Sequence, residues 1–182
     1  LATALGLARQ GIGSIVIAVL DNEPLANSYF LNYSDFLTPD SLYLGEVGSD
    51  KRELLKSRPR FYDAEDMRAE QQFATSKDGT KIPYFVVWPK GAKPDGSNPT
   101  ILYGYGGYQI SMQPSYSGEY GVAWHAKGGV LVVANIRGGG EFGRIRGGRS
   151  GRGQVREGRC GVPVPRIWAA VRAVFRLASR DR

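Results

Sequence analysis

A chain of 182 residues with 24 Lys and Arg against 17 Asp and Glu carries a formal charge of +7, and 42% of it is hydrophobic and 23% charged. That is the balance of a globular protein with enough apolar material for a core. One His and one Cys exclude an internal disulfide, a cysteine-based metal cluster and any mechanism that needs two histidines, and no apolar run approaches the ~18 residues of a membrane-spanning helix.

The opening LATALGLARQ lacks a basic region and a small-residue cleavage pattern, so it does not read as a secretory signal. Ile15–Leu20 is a β-branched run closed by the turn formers Asp21, Asn22 and Pro24, and it predicts a strand. Tyr29–Tyr33 and Ser41–Val47 predict two more, separated by the turn-rich stretch Asp35–Asp40. Strands this close predict an antiparallel meander, as in one blade of a propeller. From about Phe61 the pattern changes. Gln71–Thr75 and Ile82–Trp88 flank Lys77-Asp78-Gly79, whose Asp-Gly step favours a hairpin.

Pro89–Pro99 is polar and rich in Pro and Gly, a surface loop. Thr100–Tyr103 is a short strand running into Gly104–Gly107. Tyr120–Lys127 has helical spacing, with Gly128-Gly129 to stop it. Gly129–Ile136 is continuously apolar and β-branched, the pattern of a strand buried on both faces. Strand, helix and strand with glycine-rich turns open an α/β domain. After Gly143 the composition shifts abruptly: residues 144–182 hold 11 Arg, no Lys, and as acids only Glu157 and Asp181, for +9, which leaves −2 on the first 143 residues. The basic character belongs to the tail, and a nucleic-acid-binding body is disfavoured. Within the tail only Ile167–Ala178 shows helical spacing.

Three features could carry chemistry. Leu102-Tyr103-Gly104-Tyr105-Gly106-Gly107-Tyr108 follows a strand of parallel type, where α/β folds place their sites. Its glycines allow close backbone approach and its tyrosines offer hydroxyl donors, although a glycine turn with packed tyrosines fits the spacing equally well. Asn135-Ile136-Arg137-Gly138-Gly139-Gly140-Glu141-Phe142-Gly143 follows the buried strand. No Lys follows its glycines, so a phosphate-binding loop is excluded, and an Arg137–Glu141 ion pair pinning the loop is the favoured reading. His125, beside Trp124, has no nucleophile to activate: no Gly-x-Ser-x-Gly occurs, and Gly148-Arg149-Ser150-Gly151-Arg152 fails at its last position. The carboxylates that would join His125 on a metal are scattered.

Taken together, Ser76–Pro83 (SKDGTKIP), Leu102–Tyr108 (LYGYGGY) and Asn135–Gly143 (NIRGGGEFG), in this order and spacing, resemble the prolyl oligopeptidase family of serine peptidases, and Ser34–Pro39 (SDFLTP) resembles its last propeller blade. The resemblance covers roughly residues 15–143. It implies the N-terminal part of an α/β-hydrolase sheet preceded by the end of a β-propeller: residues 1–57 the propeller's end, 58–143 the opening of the hydrolase domain, and 144–182 an irregular or helical tail, frameshifted or disordered. It implies that Tyr105 donates its hydroxyl to the oxyanion hole and that Tyr108, usually Phe in the family, lines the proline pocket. Arg137, Gly138, Gly139, Gly140 and Glu141 would form a structural loop. No cofactor or metal is implied; the partners would be short proline-containing peptides, with no membrane. The family's nucleophilic Ser, and then its Asp and His, lie beyond NIRGGGEFG, so the resemblance implies a chain without its nucleophile, and inactive. The competing reading is a binding protein whose basic tail contacts nucleic acid or an acidic surface.

Overall fold

The computed structural model describes residues 13–19 (backbone alone for 14–19), 27–76, 78–106, 108, 110–137 and 140–141. The opening decapeptide, Gly138, Gly139, the Ser150 region, the Ile167–Ala178 segment and the whole 144–182 tail lie outside the described residues.

Four strands, β1 (Gly13–Val19), β2 (Ser28–Asp35), β3 (Ser41–Glu46) and β4 (Arg52–Ser57), form one sheet in sequence order. Every neighbouring pair is antiparallel, with Ile15 opposite Tyr33, Leu31 opposite Tyr43 and Leu44 opposite Glu53. This is the meander that the alternating runs predict. On β2 the alternation is direct: Tyr29, Leu31 and Tyr33 are buried while Asn32 is exposed. The β2–β3 turn is built on Asp35, a buried carboxylate that accepts the Tyr33 hydroxyl, the Leu37 N–H at 2.7 Å, the Thr38 N–H and the Thr38 hydroxyl at 3.2 Å. Four donors on one carboxylate compensate its desolvation. Strand β4 was not expected, because RELLKS lacks both alternation and β-branched residues; as an edge strand it needs only the ladder to β3, and Leu54 and Leu55 remain exposed.

The second sheet has the order β5-β6-β8-β7, from β5 (Arg68–Thr75), β6 (Lys81–Trp88), β7 (Thr100–Gly104) and β8 (Val130–Ala134). All five residues of β8 are buried, as are Ile82 and Tyr84 through Trp88 of β6. Each fully buried Val or Ile contributes about 1.5–3 kcal/mol of transfer free energy, so these two strands hold the core of this sheet. Strands β7 and β8 are parallel, Thr100 opposite Val130 and Gly104 opposite Ala134.

In chain order, α1 (Gly118–Ala123), the α-helix of the described residues, comes after β7 and before β8, and its N-cap Ser117 accepts the Tyr120 N–H at 3.2 Å. The expected helix over Tyr120–Lys127 is broken at Trp124 (φ −124°), and a separate 3-10 turn, His125–Lys127, follows. The cause is the return of the chain: Gly129 donates to the Trp124 carbonyl, and a Cβ at Gly129 would come within 2.3 Å of the indole. Gly128, at φ +82°, makes the left-handed stop.

By compactness the chain divides into two units. One runs to Gln71 and includes Val87–Gly91 and Gln113–Gly129; the other comprises Gln72–Val86, Ala92–Met112 and the chain from Val130. In the first, Tyr62 is a packing centre. Its hydroxyl donates to the Phe36 carbonyl (2.9 Å), its ring stacks on Tyr116 (5.1 Å between centroids), and Gly121 lies so close that a Cβ would overlap the ring.

Candidate functional site

Parallel pairing brings the carboxyl ends of β7 and β8 to the same edge, so the segments that leave them, 104–112 and 135–141, meet. Glycine sets how closely. A Cβ at Gly104 would stand 3.3 Å from the Ala134 carbonyl, and one at Gly106 only 2.5 Å from the Arg137 carbonyl and 2.9 Å from Ile136. The Tyr105 backbone is thereby fixed between two close approaches that a side chain would prevent, and Tyr105 itself is half-buried.

The far end of the same segment is gripped as well. Asn135 is 5% exposed, and its amide nitrogen donates to the Met112 carbonyl (2.8 Å) and to Oε1 of Glu141 (3.0 Å). The same Oε1 accepts the Met112 N–H at 2.7 Å. Both backbone groups of Met112 are thus held by side chains that follow β8. Asn135 Oδ1 and Glu141 Oε2 are buried without a hydrogen-bond partner among the described residues.

The expected Arg137–Glu141 ion pair is not how this loop is pinned. Arg137 Nη2 instead meets both oxygens of Asp78, at 2.7 and 2.6 Å, while Glu141 serves Met112 and Asn135. Asp78 stands in the β5–β6 turn, where it also accepts the Thr80 N–H at 3.1 Å. The guanidinium holds its carboxyl well below the usual carboxylate range, with the Thr80 backbone bond adding to the effect. The sequence offered a signal for this partner: the carboxylate of an Asp in an Asp-Gly turn keeps acceptor capacity beyond the bond to its own backbone, enough for an arginine. Asn135 carried a signal too, since an amide at the end of a wholly apolar buried strand must find partners.

Tyr108 is placed differently from Tyr105. Its backbone is left-handed (φ +52°) and its ring is 92% exposed, a conformation that costs a non-glycine residue about 1–3 kcal/mol. His125 is buried, with Nδ1 2.9 Å from the Gly129 carbonyl and its ring 6.4 Å from that of Tyr62. A carbonyl partner requires the proton on Nδ1, and burial pushes the imidazole pKa down, against a smaller upward pull from that bond. It is a satisfied packing histidine. No group of three or more metal-ligating side chains occurs among the described residues. Tyr105 and Tyr108 therefore offer hydroxyl donors in a loop held by close contact at Gly104 and Gly106 and by hydrogen bonds at Met112.

No protein-family model matches the chain. Among curated proteins it is 47% identical over 143 residues to the uncharacterized peptidase y4nA of Sinorhizobium fredii, an alignment covering 74% of this chain and 20% of that protein. It is 39% identical over 132 residues to the prolyl endopeptidase of Elizabethkingia miricola, covering 72% of this chain and 19% of that one. Among solved structures, a post-proline cleaving enzyme from Rickettsia typhi superposes with a TM-score of 0.59 at 37% identity, over 72% of this chain and 18% of that one. The chain spans about a fifth of the length of the curated relatives it matches.

Proposed function

We propose, from the premise that the neighbours matching about 72% of this chain are prolyl oligopeptidase family peptidases, that the chain is a fragment of a serine peptidase of that family whose intact form cleaves short peptides after proline through an acyl-enzyme. In this reading residues 1–57 end a propeller, 58–143 open the hydrolase domain and 144–182 lie outside both. The Tyr105 hydroxyl donates to the oxyanion of the tetrahedral intermediate, a contact of a kind worth roughly 2.7–4 kcal/mol. Tyr108 flanks the substrate proline, with a hydroxyl in place of the usual phenylalanine edge.

The observation that carries the reading is the seating of the tyrosine-bearing segment on the one that follows β8, through Gly106 against the Arg137 carbonyl and Met112 between Asn135 and Glu141. An oxyanion donor works only if it is in place before charge develops, and a backbone fixed at both ends meets that condition. The choice of proline draws on the names of the prolyl endopeptidase and the post-proline cleaving enzyme among the neighbours.

These 182 residues contain no Gly-x-Ser-x-Gly, and hydroxyl donors without an attacking group do not turn a substrate over. The purified chain is expected to release no chromophore from a proline-linked chromogenic dipeptide. Release that titrates with a serine-directed inhibitor would overturn the proposal.

A further inference from the structure

The reading above gives Tyr105 its role but leaves open what fixes it in space. Gly104 and Gly106 secure the near side of the segment by contact with Ala134, Ile136 and the Arg137 carbonyl. Those contacts seat the near end alone. Tyr108, exposed and left-handed, adds no packing between Tyr105 and Met112, so the far-side anchor falls to Met112.

We propose that Glu141 and Asn135 are positioning residues for Tyr105, acting through the backbone of Met112; the inference rests on the oxyanion reading of Tyr105. One carboxylate oxygen, Glu141 Oε1, accepts both the Met112 N–H (2.7 Å) and the Asn135 amide (3.0 Å). The other hydrogen of that amide reaches the Met112 carbonyl (2.8 Å). The three bonds close a ring of two side chains and one residue's backbone, so the oxygen cannot shift without disturbing both ends. They lie where an amide 95% buried cannot turn to water for a substitute (Asn135 is 5% exposed). The ring also fixes which way Asn135 faces, since only its nitrogen can serve the Met112 carbonyl and the Glu141 oxygen together. That leaves Oδ1, like Glu141 Oε2, buried and without a partner among the described residues. A buried polar group left unmatched is costly, and here the cost accompanies a geometry in which both backbone groups of Met112 are satisfied.

The test places a single 3-fluorotyrosine at position 105 of the 182-residue chain, with a second sample labelled at Tyr84, whose hydroxyl bonds Gln72 on β5. In E141A the fluorine resonance of residue 105 is expected to shift and broaden, and the Met112 amide to exchange about tenfold faster or more, while the Tyr84 resonance stays. E141Q keeps an acceptor at Oε1 and is expected to restore both signals. E141D withdraws the oxygen by one methylene and is expected to behave like E141A. If E141A does not fold, the Gln and Asp variants decide: native with Gln and shifted with Asp supports the proposal, and native with both overturns it. A residue-105 signal unchanged in folded E141A also overturns it, as does a change in E141Q that moves Tyr84 equally. Hydrolysis by the chain would count against the reading of it as lacking an attacking group and leave this measurement standing; a Tyr105 signal indifferent to residue 141 would do the reverse.

Discussion

Gly106 has room for nothing beyond hydrogen, because the nearest atom to a Cβ there is a backbone oxygen, Arg137 O at 2.5 Å. Backbone cannot swing aside as a side chain can. Gly106→Ala is therefore expected to destabilise the chain by about 1–3 kcal/mol, the cost of overpacking, read as a lower urea midpoint with an unchanged slope. Asp78 gives a pH-dependent counterpart. Its folded carboxyl is held low by Arg137, so the unfolded chain takes up that proton first as acid is added. The stability it supplies is complete above the ordinary Asp value of about 3.9 and drains away as pH falls below it. The gap in melting temperature between the native chain and Asp78→Asn is expected to be open at pH 6 and to close progressively below pH 4. Of these residues the sequence showed only the types. Gly106 and Arg137 stood out in their motifs, but their mutual contact, and the choice of Asp78 over Glu141, depend on two loops meeting in space.

At the scale of elements, strands were legible where alternation or β-branched runs marked them, as in β2 and β8, because side-chain burial itself writes those patterns. Strand β4 escaped, being held by its ladder to β3 rather than by a buried face. Helix α1 was legible in existence and misplaced in extent: spacing alone does not reveal that the Trp124 indole needs the volume beside Gly129. The packing of α1 against Tyr62 yields two expectations. Tyr62→Phe removes the bond to the Phe36 carbonyl and should cost about 0.5–1.5 kcal/mol in a denaturant titration. His125, just beyond α1, has its pKa lowered chiefly by burial, so the unfolded chain binds the extra proton below about pH 6.5. Stability is then full above that pH and declines as pH drops toward the folded value. A melting series from pH 7.5 to 5 should fall for the native chain and fall less for His125→Gln.

For the whole molecule, the charge division of the sequence gives +9 on residues 144–182 and −2 on residues 1–143, which keeps the basic pI from being read as a property of the first 143 residues. The order of three separated motifs carried the family resemblance, and each of them sits at a turn or a strand end. The first sheet ends at β4, whose Leu54 and Leu55 are 54% and 44% exposed. An edge strand bearing leucines on both faces is a template for self-association. Leu54→Lys together with Leu55→Lys is expected to lower light scattering at high protein concentration while leaving the circular dichroism spectrum unchanged.

Glu141 and Asn135 grip Met112 by its amide and carbonyl, so nothing in those two bonds consults its thioether. The anchorage is blind to side-chain identity. Position 112 should accept leucine, glutamine or lysine with little change, whereas proline, which has no N–H to give, should undo it; a lineage could thus vary the rim of this loop freely while its mooring stays put.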